Sequence, residues 1–405
     1  MSKPPVDIDP STPVVVFRAD GYCSLGIVRT LGRLGVKVYC ISHIPDEPAM
    51  RSRYCAGTFN WDFDSSPADD SVQFLLDVAQ KIGQKAILLP TFDTRSLFVD
   101  TYRALLSTAF LLPQPSPGAV AGLYSKRSMY ELCKEVGVPT PDTIFPDSVE
   151  QAMRDGPGLE FPLLIKGIDA DRLMHRTGRR AAVVHHPAEL REAYLSLDEP
   201  GRNNLALQAF IPHGAEDSWI LGAYFDSNGD CRFAMTGKKL RQTPIGGGLT
   251  TLGRCTPCES MVDTICSVAK AVGYRGILDA CFLYDKRDTS WKLLDINPRP
   301  GANFRLFVDK TGLDVVRALY LDLTNQRLPP ADPAWGRTWM VEDKDFDAGG
   351  EYASNGSITS VAWLKSLFVV SERAYFAFDD LGPSIGFATT FGRRLLRGAI
   401  NKLHA

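Results

Sequence analysis

Residues 293–307 read LLDINPRPGANFRLF. The stretch runs as a strand to Ile296, then breaks into Asn297-Pro-Arg-Pro-Gly301. The segment before it, GILDACFLYDKRDTSWK (276–292), brings a further acid at Asp279, and the two together read as a hairpin turned at Lys286–Asp288. Centring the turn on Arg287 sets Asp279 directly across from Asp295, with about 5 Å between their Cβ atoms. Period-two alternation then groups Trp291, Leu293, Asp295 and Asn297 on one face and Lys292, Leu294 and Ile296 on the other. Like charges so placed repel, and a divalent cation such as Mg²⁺, which takes oxygen ligands, converts that repulsion into binding. Arg299 keeps the same parity, and its planar fork suits a phosphate or carboxylate held beside the metal. The alternative is a solvated hairpin whose aspartates face water. Apolar Ile277, Leu278, Phe282, Leu283, Leu294 and Ile296 instead favour a strand pair covered on both faces. A one-residue slip would separate the acids.

Working upstream, residues 13–121 alternate strand and helix signals. PVVVFRA, VKVYCIS and KAILLPT are apolar and β-branched; SLGIVRTLGRLG and SVQFLLDVAQKIG have helical spacing and stop at glycine. Such an order argues for a parallel α/β sheet, whose ligands collect at the carboxyl ends of its strands. Arg18–Ser24 and Thr91–Arg95 are therefore candidate substrate loops. Gly21–Gly26 does not match the GxGxxG fingerprint of dinucleotide folds. The proline-rich LLPQPSPGAV marks a boundary near 121. Beyond it, FPLLIKG, AAVVHH and LALQAFIP read as strands, PAELREAYLSL as a helix, and WILGAYFDSNGDCRFAMTG as a hairpin turned at Asn228-Gly229. GGGLTTLGR reads as a mobile loop. From about 331 the composition shifts to a linker, PPADPAWGR, and an extension.

An acidic strand followed by a second strand ending in Asp-Ile-Asn-Pro-Arg resembles the metal-binding end of the ATP-grasp superfamily, which includes biotin carboxylase, carbamoyl phosphate synthetase and D-alanine:D-alanine ligase. The resemblance implies an N-terminal pre-ATP-grasp parallel α/β domain (13–121), a two-lobed ATP-grasp α+β fold (122–330, lid about 140–207) and a C-terminal extension (331–405). It implies phosphate-contacting lysines at Lys126 and Lys166. It implies an adenine hinge at Gln208–Ile211, with backbone groups of Ala209 and Ile211 at the base edge. Glu216, or else Asp217, would meet the ribose. Asp279, Asp295 and Asn297 match the magnesium ligands and Arg299 the anion-stabilising arginine. Arg241 is expected to hold the acceptor carboxylate, and Asn303 or Arg305 to meet the substrate. One departure stands out: GIDADRLMHRTGRR follows Lys166 where many members carry a glycine-rich loop, and a glycine triplet arrives only at Gly246–Gly248, which reads as a substrate lid.

The implied activity is an ATP- and Mg²⁺-dependent carboxylate-amine ligase working through an acyl phosphate on a small anionic substrate, with Mn²⁺ able to replace Mg²⁺. The alternatives are an ATP-grasp carboxylase, kinase-like phosphoryl transfer, or a nucleotide-binding regulatory module without turnover. With 405 residues and a formal net charge of −2, nothing in the overall charge points to nucleic acid. No apolar run is long enough to span a bilayer, and MSKPPVDIDP lacks the marks of a leader, so the expected location is cytoplasmic. Small carboxylates and amines are the expected partners, and a homodimer is compatible with the sequence. The basic tail FGRRLLRGAINKLHA reads as a capping helix, with membrane-surface contact the weaker reading. Nine cysteines at scattered positions fit reduced thiols better than disulfides, and Cys255-Thr-Pro-Cys258 lacks the second ligand pair of a structural zinc site.

Overall fold

The computed structural model describes residues 8–386. The basic tail lies outside the described residues, so its capping or membrane-surface reading is not addressed by the fold.

Strands β1 (Val14–Phe17), β2 (Val38–Ile41), β3 (Cys55–Phe59), β4 (Ala86–Pro90) and β5 (Phe110–Leu111) form a five-stranded sheet in the order 3-2-1-4-5, with every pair parallel. All four residues of β1 are buried, because helices cover both faces of this central strand. At its carboxyl end the chain turns through Arg18, at φ 69°, into the helix Gly21–Gly32. The helix Asp93–Thr101 begins just after β4. Both turns thus open on one crevice.

A four-stranded sheet follows, β6 (Thr143–Ile144), β7 (Leu163–Gly167), β8 (Ala181–Val184) and β9 (Leu205–Ala209), ordered 6-9-7-8 and antiparallel. Between β7 and β8 lies the helix Ala170–Thr177, in the place where the resemblance implies a glycine-rich loop. Two of its arginines are already engaged, Arg172 with the Glu199 carboxylate and Arg176 with the Leu197 carbonyl.

The largest sheet contains β10 (Ser218–Phe225), β11 (Cys231–Thr243), β12 (Leu249–Cys255), β13 (Gly276–Asp285), β14 (Ser290–Asn297), β15 (Thr338–Met340) and β16 (Glu372–Arg373), in the order 14-13-10-11-12-15-16. The β10–β11 hairpin turns at Asn228-Gly229, where Gly229 takes φ 87° and the Asp226 carboxylate accepts from the amides of Asn228 and Asp230. LTTLGR is not a loop. It is strand β12, because its threonines and leucine find cross-strand partners on β11 and β15.

The C-terminal extension is clamped to the body by buried ion pairs, and these correct two expectations. Arg241 faces Asp345 of the helix Glu342–Ser354, with Nε to Oδ1 at 2.8 Å and Nη2 to Oδ2 at 2.7 Å. Asp345 also accepts from Thr251 Oγ1 and Trp363 Nε1, so this arginine is a structural clamp and not a ligand for an acceptor carboxylate. The cause is a bulge: Lys239 pairs with Gly253 and Arg241 with Leu252, leaving Leu240 as the extra residue that turns Arg241 over. Arg305 likewise spends its donors on Glu372, Asp314 and Thr30, and is therefore not a substrate contact. Burial opposes ionisation of Glu372, yet Arg305 and Arg337 hold its carboxyl down to about 2.

Removing one partner of a buried ion pair strands the other charge, at a cost of about 3–5 kcal/mol. Arg241→Ala should accordingly lower the midpoint of urea unfolding, and Arg241→Met combined with Asp345→Leu should recover most of the loss. Wild-type stability in the single variant would show that the pair is not the clamp.

Candidate active site

The β13–β14 hairpin presents the acids differently from the simple alternation. Asp285 pairs with Ser290, Tyr284 with Trp291, Leu283 with Lys292 and Phe282 with Leu293; the next pair is Cys281 with Asp295. Leu294 is thus an extra residue, and beyond it every side chain of β14 changes face. The two cores bear this out. Trp291, Leu293 and Ile296 pack with Leu278, Ala280 and Phe282, so Leu293 and Asp295 do not share a face. Asp279 stands opposite Asn297, not Asp295, and Asn297 Nδ2 lies 3.2 Å from Asp279 Oδ2. Asp295 is the diagonal neighbour on the same face as Asp279 and Asn297, so the three oxygen-bearing side chains converge by a register other than the expected one.

Burial pushes the Asp279 carboxyl up to about 6, with Arg299 and the Asn297 amide acting against it. The backbone crowds this carboxylate closely. A Cβ on Gly301 would lie 2.0 Å from Asp279 Oδ1, so only glycine lets the chain pass there. A buried carboxylate with a second acid and an amide oxygen beside it fits a hard divalent cation, which prefers oxygen donors. No cluster of three His, Cys, Asp or Glu residues gathers among the described residues, so such an ion would rely on the Asn297 oxygen as its third protein donor.

Arg299 is held from the N-terminal sheet. Its Nε lies 3.0 Å from Asp93 Oδ1, its Nη2 3.1 Å from Asp93 Oδ2, and its Nη1 3.9 Å from Asp279 Oδ2. Asp93 begins the helix after β4, within the loop singled out as a substrate surface, but the acid itself was not anticipated. Burial raises its carboxyl pKa against the pull of Arg299.

Across the cleft, Lys166 on β7 donates to Gln208 Oε1 at 3.2 Å and to Tyr130 Oη at 3.4 Å. Tyr130 is the hub that sequence reading missed. Its hydroxyl donates to the carbonyl of the bulged Leu294 at 3.2 Å and accepts from Gln208 Nε2 at 2.8 Å. The lysine and the carboxylates are thereby tied to one phenol. A signal was present, because Tyr130 lies four residues after Lys126 and so shares its helix face. Lys126 is the first residue of that helix, Lys126–Glu135, and is half-buried. Burial pushes the Lys166 ammonium down to about 7, the Lys126 charge adds to the shift, and Asp295 opposes it.

The remaining expected residues fall as follows. The Gln208 side chain lies beneath the strand edge with Thr143 and Tyr130. The Ala209 amide is taken by the Asp142 carbonyl, so only its carbonyl is left for a base edge. The Ile211 carbonyl contacts His213 Nδ1 at 2.7 Å. Glu216 is exposed and pairs with Lys286 at 3.5 Å, whereas Asp217 is buried and accepts from the Gly214 amide and from the same lysine at 2.7 Å, so Glu216 is the more accessible carboxylate of the two. Asn303 Nδ2 reaches Thr250 Oγ1 at 3.5 Å, beside Gly301. The Gly246–Gly248 loop contacts the hinge through His213 and the site face through Lys239 Nζ, which donates to the Gly248 carbonyl. Cys255 is buried against the Thr236 carbonyl while Cys258 caps the helix Glu259–Val272 beside Ser260.

No profile of a known protein family matches the chain. D-aspartate ligase of Enterococcus faecium is 26% identical over 244 residues, covering 58% of this chain and 58% of that protein, so the chain spans little more than half of this relative's length. Among solved structures, biotin carboxylase from Campylobacter jejuni in a β,γ-ATP complex superposes with a TM-score of 0.64 at 17% identity, covering 81% of this chain and 74% of that one. The biotin carboxylase domain of the 2-oxoglutarate carboxylase from Hydrogenobacter thermophilus, solved with MgADP, ADP and bicarbonate, gives 0.62 at 18% identity, covering 81% and 73%. At these identities the structural likeness is one of fold.

With its pKa near 7, Lys166 is mostly neutral at pH 8 and mostly charged at pH 6, and a phosphate contact demands the charged form. ATP binding should then take up close to a full proton at pH 8 and little at pH 6, read by calorimetry in buffers of different ionisation heat. Lys166→Ala should abolish the uptake and weaken binding by about tenfold or more. A pH-independent heat would separate Lys166 from the phosphates.

Proposed function

We propose that this chain is a member of the ATP-grasp superfamily and an ATP-dependent ligase that joins a small anionic carboxylate to an amine through an acyl phosphate. The observation that carries the reading is the Tyr130 bridge. One hydroxyl holds Lys166 and Gln208 of the lid strands against the Leu294 carbonyl, next to Asp295. Cationic and metal-ligating groups therefore face each other across a single cleft, the arrangement that phosphoryl transfer requires of a protein.

The carboxylate oxygen attacks the γ-phosphorus, ADP leaves, and the amine then displaces phosphate from the acyl phosphate to give an amide. Lys126 and Lys166 offset the charge of the nucleotide phosphates, and Ile211 with Glu216 border the nucleoside end. Asp279, Asp295 and Asn297 would hold magnesium, which supplies charge neutralisation and a template for the phosphate oxygens. Arg299 Nη1 donates to the Pro300 carbonyl at 3.1 Å and lies 3.9 Å from Asp279 while Asp93 fixes the rest of its fork, so its second Nη1 hydrogen is the donor we assign to the acceptor anion. Asn303 stands beside this position as a second polar contact. The D-aspartate ligase relative supports an amino dicarboxylate as the acid.

The test is ADP and phosphate release with magnesium against paired acids and amines, aspartate heading the acids. Turnover that needs both an acid and an amine is the expected result, and Asp295→Asn should remove it while leaving the folded secondary structure unchanged. Tight ATP binding without turnover for any pair would instead indicate a regulatory nucleotide-binding module. Bicarbonate replacing the acid would indicate a carboxylase.

A further inference from the structure

Beside the Asp93–Arg299 pair, a cavity partly open to solvent lies where the N-terminal sheet, the proline-rich connector and the start of β13 meet. One wall is helical. Ser96, Val99 and Asp100 of the helix Asp93–Thr101 and Arg103 of the helical turn after it recur at steps of three and four, which puts them on one face. A second wall is built from Pro113 and Pro115 of the connector and from Pro298 and Pro300 on either side of Arg299. Proline lacks a backbone N–H and its ring fixes φ, so this wall is apolar, rigid and without backbone donors at those positions. Leu112, Ile277 and Leu319 extend the apolar surface. None of Asp279, Asp295, Asn297 and Lys166 lines the cavity, which therefore meets the proposed active site through Arg299.

The charges at this lining do not cancel. Three arginines reach it, Arg103, Arg275 and Arg299, against a single acid, Asp100. Arg103 pairs with Asp100 and donates Nη1 to the Pro115 carbonyl at 2.9 Å, and Arg299 is paired by Asp93 from outside the lining. Arg275 has only carbonyls: its Nε donates to Ser227 at 2.7 Å and its Nη1 to Gly273 at 3.1 Å, and it has no carboxylate partner among the described residues. One positive charge is thus left uncompensated. Ser96 adds a neutral donor, because it is only 5% exposed and its hydroxyl has no hydrogen-bond partner among the described residues. A buried donor without an acceptor is unfavourable, and an incoming acceptor relieves it.

We infer that this cavity binds a small monocarboxylate with a compact apolar body. Arg275 supplies the countercharge, the Ser96 hydroxyl a hydrogen bond, and the proline and leucine side chains the apolar contact. A single excess charge matches one carboxylate, and the apolar walls favour a ligand with a hydrocarbon body over a bare inorganic anion. Proline walls are already rigid, so little order has to be imposed when the ligand enters. The inference does not depend on the proposed ligase reaction.

The test is a ligand-observed NMR titration of the full chain with benzoate and with benzamide, its neutral isostere. Benzoate should bind about fivefold or more tightly than benzamide. Arg275→Gln, at a half-buried position whose partners are two carbonyls, should leave the melting temperature nearly unchanged and bring the two ligands to the same affinity. Val99→Trp, which fills the cavity, should remove the binding of both. If that variant fails to fold, the Arg275→Gln comparison decides by itself. Four results would each overturn the inference: no saturable benzoate binding up to about 10 mM, benzamide binding as tightly as benzoate, a benzoate preference that survives Arg275→Gln, or undiminished binding to folded Val99→Trp protein.

Discussion

The chemistry of this cleft turns on one extra residue in β14. Without Leu294 as a bulge, the alternation that buries Leu293 would bury Asp295 as well, and a second carboxylate would be pressed into the apolar layer beside Phe282 and Ile296. Burying an unpaired charge in that way is far more costly than the local distortion of a bulge. The bulge keeps both requirements: an apolar underside for the helix Glu259–Val272 and a polar upper side for the site. It also frees the Leu294 carbonyl, and Tyr130 uses that carbonyl to join the hairpin to the strands bearing Lys166 and Gln208.

A second bulge, at Leu240 in β11, shows the same device with the opposite result. There the shift carries Arg241 away from the cleft face of Lys239 and into a buried clamp with Asp345. The large sheet thus places its charges by counting residues. Where the count slips, a side chain passes from one face of the sheet to the other.

Much of this was legible in the residues. The strand and helix order of the N-terminal sheet and the Asn228-Gly229 turn follow from local pattern, because turn chemistry and alternation are local properties. The register of the acids and the fates of Arg241 and Arg305 do not, since a bulge leaves no mark in composition and the acids that capture those arginines lie far along the chain, at Asp345, Asp314 and Glu372. Reading LTTLGR as a loop failed for a related reason: threonine is as much at home in a strand as in a turn, and only the neighbouring β11 and β15 decide. Tyr130 and Asp93 act through partners distant in sequence, which alternation cannot supply.

The Asp93–Arg299 pair gives the fold a compatibility rule. One half comes from the helix that follows β4 at the start of the chain, the other from the loop that follows β14, and each is half-buried against its partner. Neither half is portable by itself. A chimera that grafts another N-terminal sheet onto the rest of this chain inherits a largely desolvated arginine without its counterion unless the graft carries an acid at the position of Asp93. The two units must therefore be exchanged, recombined or diverge as a matched set.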